Sequence, residues 1–265
     1  MSLRPSLAGH LVGSLVLAFL LLPVLAVVPA SFNNSSFIRL PPQAVSLRWY
    51  YAFFADPEWL RSLVTSIEVA LLATLLAVVI GTLTALGLER AAPRLRALVI
   101  GLVLSPLIVP VIMTAIALYY VTRFVGLHGT VVGLALGHVL LCLPFVVLNV
   151  GVALRAVAVD WRRAAEGLGA APATTFRRVY LPLSLPGVAA AAAFVFLLAL
   201  GFFVTPALLG GIQNVTASML IDNFVNERLV WPLAAAASFC LLGLILALLL
   251  AASRFLHLGH MLVAR

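Results

Sequence analysis

Two ionisable residues of this 265-residue chain, Glu68 and His138, sit inside long apolar runs, and they are where chemistry would first be sought. A carboxylate within a membrane span costs roughly 3 kcal/mol or more unless it faces water or a partner. Glu68 therefore either lines a path for a cationic solute, or stays near the outer interface and pairs with Arg61 or another arginine. His138 is expected to be a packed residue, hydrogen-bonded to a neighbouring helix. Nothing else resembles a catalytic set. The chain has no lysine, so it holds no Gly-Lys-Ser/Thr phosphate loop, and neither a Ser-His-Asp nor a zinc-ligand spacing stands out. Cys142 and Cys240 lie in apolar runs and read as small core residues without metal or disulfide spacing. The expectation is a chain that is not an enzyme and binds no cofactor or metal. Energy for any work must come from a partner.

The densest charge lies in residues 155–186, RAVAVDWRRAAEGLGAAPATTFRRVYLPLSLP. Arg155, Arg162, Arg163, Arg177 and Arg178 occur here with Asp160 and Glu166. The flanking runs, 131–154 and 187–209, carry almost no charge. Arginine-rich short loops resist translocation, so this segment is expected on the cytoplasmic side. Asp160 can cap a short helix over 161–168, and Gly169 can end it in the left-handed conformation. Pro172 suits the first turn of a second helix through Val179. Leu181-Pro182 is expected to stop that helix, because proline lacks the next donor. The segment then reads as two short helices at an angle, with a nearly flat face at Ala164 and Ala165.

The elements that hold these residues follow from composition. The chain is 64% hydrophobic and 9% charged, with a mean hydropathy of +1.21. Soluble domains carry roughly 25% charged residues, so this is an all-α membrane protein. Continuous apolar runs exclude a β-barrel, whose strands alternate over about ten residues. Six spans are expected: 11–28, 63–88, 97–121, 131–154, 187 onward to the stretch FFVTPALLGG (202–211), and 232–252. The first reads as a retained span rather than a cleaved leader. Residues 31–61 are expected outside, with Trp49, Tyr50, Tyr51, Phe53 and Phe54 in an interfacial helix. Pro106 and Pro110 interrupt the third span, which is tolerated where freed carbonyls face protein or a watery path. Thr205-Pro206 and Gly210-Gly211 are expected to break or bend the fifth, and residues 212–231, with Asp222, to form an outer re-entrant piece.

Arginine placement sets the orientation. Inside would lie Arg4, Arg90, Arg94, Arg96, Arg155, Arg162, Arg163, Arg177, Arg178, Arg254 and Arg265; outside would lie Arg39, Arg48, Arg61, Arg123 and Arg228. Six spans with both termini cytoplasmic obey this bias. The net charge of +8 therefore reports topology, not nucleic acid binding.

The arginine segment resembles the EAA motif of the membrane subunits of bacterial ABC importers, the binding-protein-dependent permeases. That pattern is Glu-Ala-Ala, three residues, Gly, nine residues, Ile, any residue, Leu-Pro. Ala164, Ala165, Gly169, Leu181 and Pro182 match it, Val179 stands at the Ile, and Arg163 replaces the Glu. The resemblance implies a coupling helix docking on a cytoplasmic ATPase through Arg163, Ala164, Ala165, Glu166, Gly169, Val179, Leu181 and Pro182. The stretches LSPLIVPVIMTAIALYY, FVTPALLGG and NVTASMLIDNF resemble the spermidine/putrescine-type branch. That resemblance implies the type I importer permease fold: a peripheral first helix (1–30), an external loop (31–61) and a five-helix core (62–265). It also implies a bacterial inner membrane, a second homologous permease chain, two ATPase subunits carrying ATP and Mg²⁺, and an external solute-binding protein. Polyamine uptake is the expected function. Aminoethylphosphonate, ferric iron or an amino-acid-like solute are alternatives within the class. Glu68, Pro106, Pro110, Phe202, Phe203, Thr205, Pro206 and Asp222 are the expected path or gate. An ion-coupled secondary transporter would need more ionisable groups near the midplane than Glu68 and His138. An assembly protein without transport would need neither the motif spacing nor the broken helices.

Overall fold

The computed structural model describes residues 7–37, 44–157, 161, 164–165 and 167–263. These residues are helical apart from their connections, with an isolated antiparallel bridge between Asn33 and Val45. The elements are α1 (Leu7–Ser31), α2 (Arg48–Ala55), α3 (Pro57–Arg90), α4 (Pro93–Ile108), α5 (Val111–Phe124) and α6 (Val131–Ala156), then α7 (Pro172–Thr175), a π-helical turn (Phe176–Tyr180), α8 (Leu181–Gly201), α9 (Val204–Leu209), α10 (Ala217–Asn226) and α11 (Trp231–Val263). Leu11–Ser31, Pro57–Arg90, Val131–Ala156, Ala173–Gly201 and Trp231–Ala251 are each long and apolar enough to cross a bilayer; α4 and α5 together make a sixth candidate.

Local chemistry explains the boundaries. Asp56 and Pro57 open α3, where the Glu58 N–H donates to Asp56 Oδ1 at 2.9 Å. Arg96 closes the same helix by donating from Nε and Nη2 to the Leu88 and Glu89 carbonyls, at 2.9 and 3.0 Å. Thr130 caps α6 by accepting from the Gly133 N–H at 3.0 Å.

Four expectations are corrected. The second span starts earlier: α3 begins at Pro57, inside the stretch expected to lie outside, while the helix expected at 49–54 is α2. The third span is not one helix: α4 and α5 meet at 106°. Pro110 is the cause, since the residue before a proline is pushed to extended backbone, and Val109 sits at φ −76°, ψ 132°. Leu181-Pro182 does not end the helix that starts at Pro172, because 173–201 runs on as one element. The π-helical turn makes this possible. The Leu181 N–H bonds Phe176 O, five residues back, in a wider turn that ends just before Pro182. The fifth span breaks at Phe202 and Phe203 rather than at Thr205-Pro206, which lies inside α9.

The described chain divides into two compact units. One comprises residues up to 60 together with 220–247. Its core holds Trp49, Phe53, Trp59 and Phe224, with Trp59 stacked on Phe224 at 5.3 Å and Phe53 tilted against Trp59 at 4.8 Å. Arg228 lies over the Phe224 ring and pairs with Glu58 at 3.7 Å. The other unit comprises 61–219 and 248 onward, and α6 is its most buried helix. Apart from Val69, the buried positions of α3 there are small, and Ser66, Ala70, Ala73, Ala77, Gly81 and Ala85 recur every three or four residues. Small residues let backbones approach where lipid gives no hydrophobic drive to helix association. A Cβ at Gly187 on α8 would lie 2.2 Å from that of Ala153 on α6. Gly187→Ala should lower stability by about 1–3 kcal/mol, and Ala153→Gly in the same chain should restore part of it, read as the melting temperature of the purified protein in detergent.

Candidate functional site

The break between α8 and α9 is dictated by Pro206. A proline ring clashes with the carbonyl four residues before it, and that residue is Phe202, whose ψ is 132° instead of helical. The freed Phe202 carbonyl accepts the Ser218 hydroxyl at 2.7 Å. Inside a bilayer such a carbonyl must be satisfied by the protein itself.

The chain from 202 to 219 is fastened by further bonds of this kind. The Ala217 N–H donates to the buried Ser66 Oγ on α3 at 2.8 Å. Asn214 Nδ2 donates to the Gly129 carbonyl, and the Gly129 N–H donates to Leu209 O at 2.9 Å. Leu209 packs with Val69 of α3 and Leu134 of α6, flanked by Leu118, Tyr119 and Leu208. Gly137 admits α9 against α6, because a Cβ there would meet Leu209 and Thr205 at 3.0 and 3.1 Å. Gly211 takes a positive φ of 63° and lies against Gly129.

Two polar side chains at this break find no partner among the described residues. His138 is 1% exposed with neither ring nitrogen hydrogen-bonded, and Thr205 is 1% exposed with Oγ1 unbonded. The His138 ring instead meets the Phe202 ring edge-on at 5.0 Å. The expectation of a His138 hydrogen bond to a neighbouring helix is therefore corrected: Gly137 and the close approach of α9 surround it with apolar groups.

The expected path residues separate. Phe202, Phe203, Thr205 and Pro206 gather at the break. Phe202 is half-buried, Phe203 is exposed, and Thr205 and Pro206 are buried. Pro106 lies near the end of α4, and Pro110 is exposed before α5, which packs on α9. Asp222 belongs to the other unit and accepts from Asn226 at 2.6 Å. Glu68 is exposed and makes no ion pair with Arg61 among the described residues, which corrects that pairing. Seven residues separate the two, so they lie on one helix face but about 10 Å apart along it. Ser66, Gly129, Gly137, Asn214 and Ser218 were not identified from sequence. Asn214 and Ser218 lie in the NVTASMLIDNF stretch, which was noted only as a family resemblance and for its glycosylation-type triplet, and Ser66, Gly129 and Gly137 carry no local signal.

In the arginine segment, Arg163 and Glu166 lie outside the described residues, as do Asp160 and Arg162. Gly169 has φ +80°, and the Ala170 N–H bonds Ala165 O at 3.0 Å, the six-to-one bond of a glycine-terminated helix. Trp161, Ala164 and Leu168 are exposed at the spacing of one helical face. Arg177, Arg178 and Leu181 are exposed, while Val179 and Pro182 are half-buried.

Ser218→Ala should leave the Phe202 carbonyl unsatisfied and destabilise by about 1–3 kcal/mol, whereas Ser218→Thr should not. Thermal unfolding of the two variants side by side checks this.

Comparison with known proteins agrees with this architecture. The chain is 31% identical over 224 residues to the trehalose transport system permease protein SugB of Mycobacterium tuberculosis, covering 81% of this chain and 80% of SugB. It is 29% identical over 223 residues to the spermidine/putrescine transport system permease protein PotC of Haemophilus influenzae, covering 84% and 86%. A bacterial alginate ABC transporter, crystallised with its alginate pentasaccharide-bound periplasmic protein, has the same fold, with a TM-score of 0.69 and 16% identity over 93% of this chain and 92% of that one. The family described as binding-protein-dependent transport system inner membrane component matches residues 77–257. Its match over most of the chain, with spans broken as described, makes this protein a multi-pass ABC importer permease of that family.

Proposed function

We propose that this chain is one half of a permease pair that imports a polyamine from an external binding protein. A second homologous permease chain completes the pair, and two cytoplasmic ATPase subunits carry the ATP and Mg²⁺. The segment from Arg155 to Pro182 is the coupling element. Its support is the glycine-ended turn at Gly169 and the exposed apolar face of Trp161, Ala164 and Leu168, which suits a groove on another protein. ATP-driven closure of the ATPase dimer draws the two coupling elements together and exchanges inward for outward access.

The observation that carries the solute class is Glu68. Its carboxylate is exposed on α3 beside Val64, Leu71 and Leu75, with Arg61 two turns away on the same face and no protein partner among the described residues. A charge in that position is tolerated where it meets water or an opposite charge. A diammonium solute supplies the opposite charge, and neutral trehalose does not.

The complex with both ATPase copies, the second permease and the binding protein, reconstituted in lipid, tests this by ATP hydrolysis. Putrescine or spermidine should stimulate it, while trehalose, aminoethylphosphonate, ferric iron and 4-aminobutyrate should not; stimulation by one of these four alone overturns the polyamine reading. Glu68→Gln should raise the putrescine concentration for half-maximal stimulation by about tenfold, the loss of roughly 1.4 kcal/mol of charge pairing. Gly169→Asp should abolish stimulated hydrolysis while the subunit still inserts, and normal transport by that variant would remove the coupling assignment.

A further inference from the structure

Buried polar groups in folded proteins are nearly always hydrogen-bonded, so each exception needs a cause. His138 and Thr205 are two such exceptions on adjoining helices, α6 and α9, at one helix break. His138 offers a donor and an acceptor, Thr205 offers a hydroxyl, and neither is used by a described protein group. An apolar residue of similar size would fill either position without leaving a polar atom unpaired. The pair is better suited to a state in which it is wet than to the packed one seen here.

The element that carries Thr205 and packs on α6 has backbone breaks at both ends. α9 has six residues. It is preceded by Phe202 and Phe203, with backbones at ψ 132° and at φ −115°, ψ −50°, and followed by Gly210 and Gly211, the latter at positive φ. Non-helical residues at both ends of a short element are the usual sites of hinge motion. The bonds that hold the segment, from Ser218, Ser66, Asn214 and Gly129, lie outside α9 itself, apart from the Leu209 carbonyl.

We propose that His138 on α6 and Thr205 on α9 are hydrogen-bonding groups of the solute path, buried where the two helices pack in this state and bared to a passing hydrophilic solute when α9 moves away from α6. The proposal rests on the importer reading but not on the solute's identity. It makes α9 the element that moves and His138 a group that interacts with solute or its hydration water.

The test uses the complete reconstituted complex, with Cys142 and Cys240 replaced by Ala and Thr205→Cys introduced. The probe is a hydrophilic trimethylammonium-ethyl methanethiosulfonate, added with vanadate-trapped ATP or without nucleotide. The thiol should react at least tenfold faster in one nucleotide state than in the other. Equal rates, or no reaction in either state, overturn the proposal. A second variant guards against a cysteine that disturbs folding. His138→Leu should raise the melting temperature by packing the buried state better, and should cut stimulated hydrolysis at least tenfold; His138→Gln should keep most of that hydrolysis. Unchanged turnover in His138→Leu, or a lower melting temperature, marks a purely structural pair and overturns the proposal. Persisting ATP stimulation in the unmodified complex separates such a failure from failure of the importer reading itself.

Discussion

A backbone carbonyl released inside a lipid bilayer has no water to turn to, and much of this fold follows from meeting that requirement once, at Phe202. Pro206 forbids the helix from continuing, and the Ser218 hydroxyl takes up the carbonyl that results. That bond needs the chain to double back between 202 and 218. The return is possible because Gly210 and Gly211 turn it and because Ser66 and Gly129 supply its remaining partners. The small-residue face of α3 and Gly137 of α6 then let the returning segment sit close. A single forbidden helical bond thus accounts for a cluster of residues far apart in sequence.

The same logic separates what the sequence discloses from what it conceals. Spans are legible because twenty apolar residues in a row have few other uses, and α6 begins and ends within two residues of its expected bounds. The turn at Gly169 is legible because only a C-terminal helix cap calls for glycine after such a run. The break in the fifth span was expected at the proline itself, whereas the steric effect of proline acts on the carbonyl four residues upstream. Pro182 was expected to stop a helix, yet a wider turn ends just before it and the helix runs on. Both errors have one origin: the disturbance a proline makes is expressed in the residues ahead of it.

His138 and Glu68 were misjudged for a different reason. Whether a buried imidazole is bonded depends on what approaches from another element, and Phe202, which meets the His138 ring here, lies more than sixty positions away. Arg61 was one partner considered for Glu68, beside snorkelling or another arginine; two turns of helix hold the pair too far apart to bridge. The clamp residues Ser66, Asn214 and Ser218 are common polar types in unremarkable contexts. Their meaning is wholly in the tertiary arrangement.

The π-helical turn at Phe176–Tyr180 has a mechanical consequence. Because it carries the chain past Pro182 without interruption, Ala173 to Gly201 is one continuous helical element of 29 residues. Its ends are the arginine segment and the Phe202 break. At 1.5 Å per residue such an element is about 44 Å long, so tilting it by about 5° carries one end about 4 Å relative to the other. A linker at Leu181-Pro182 would have absorbed that displacement as slack. The continuous element leaves no such slack between the arginine segment and the Phe202 break.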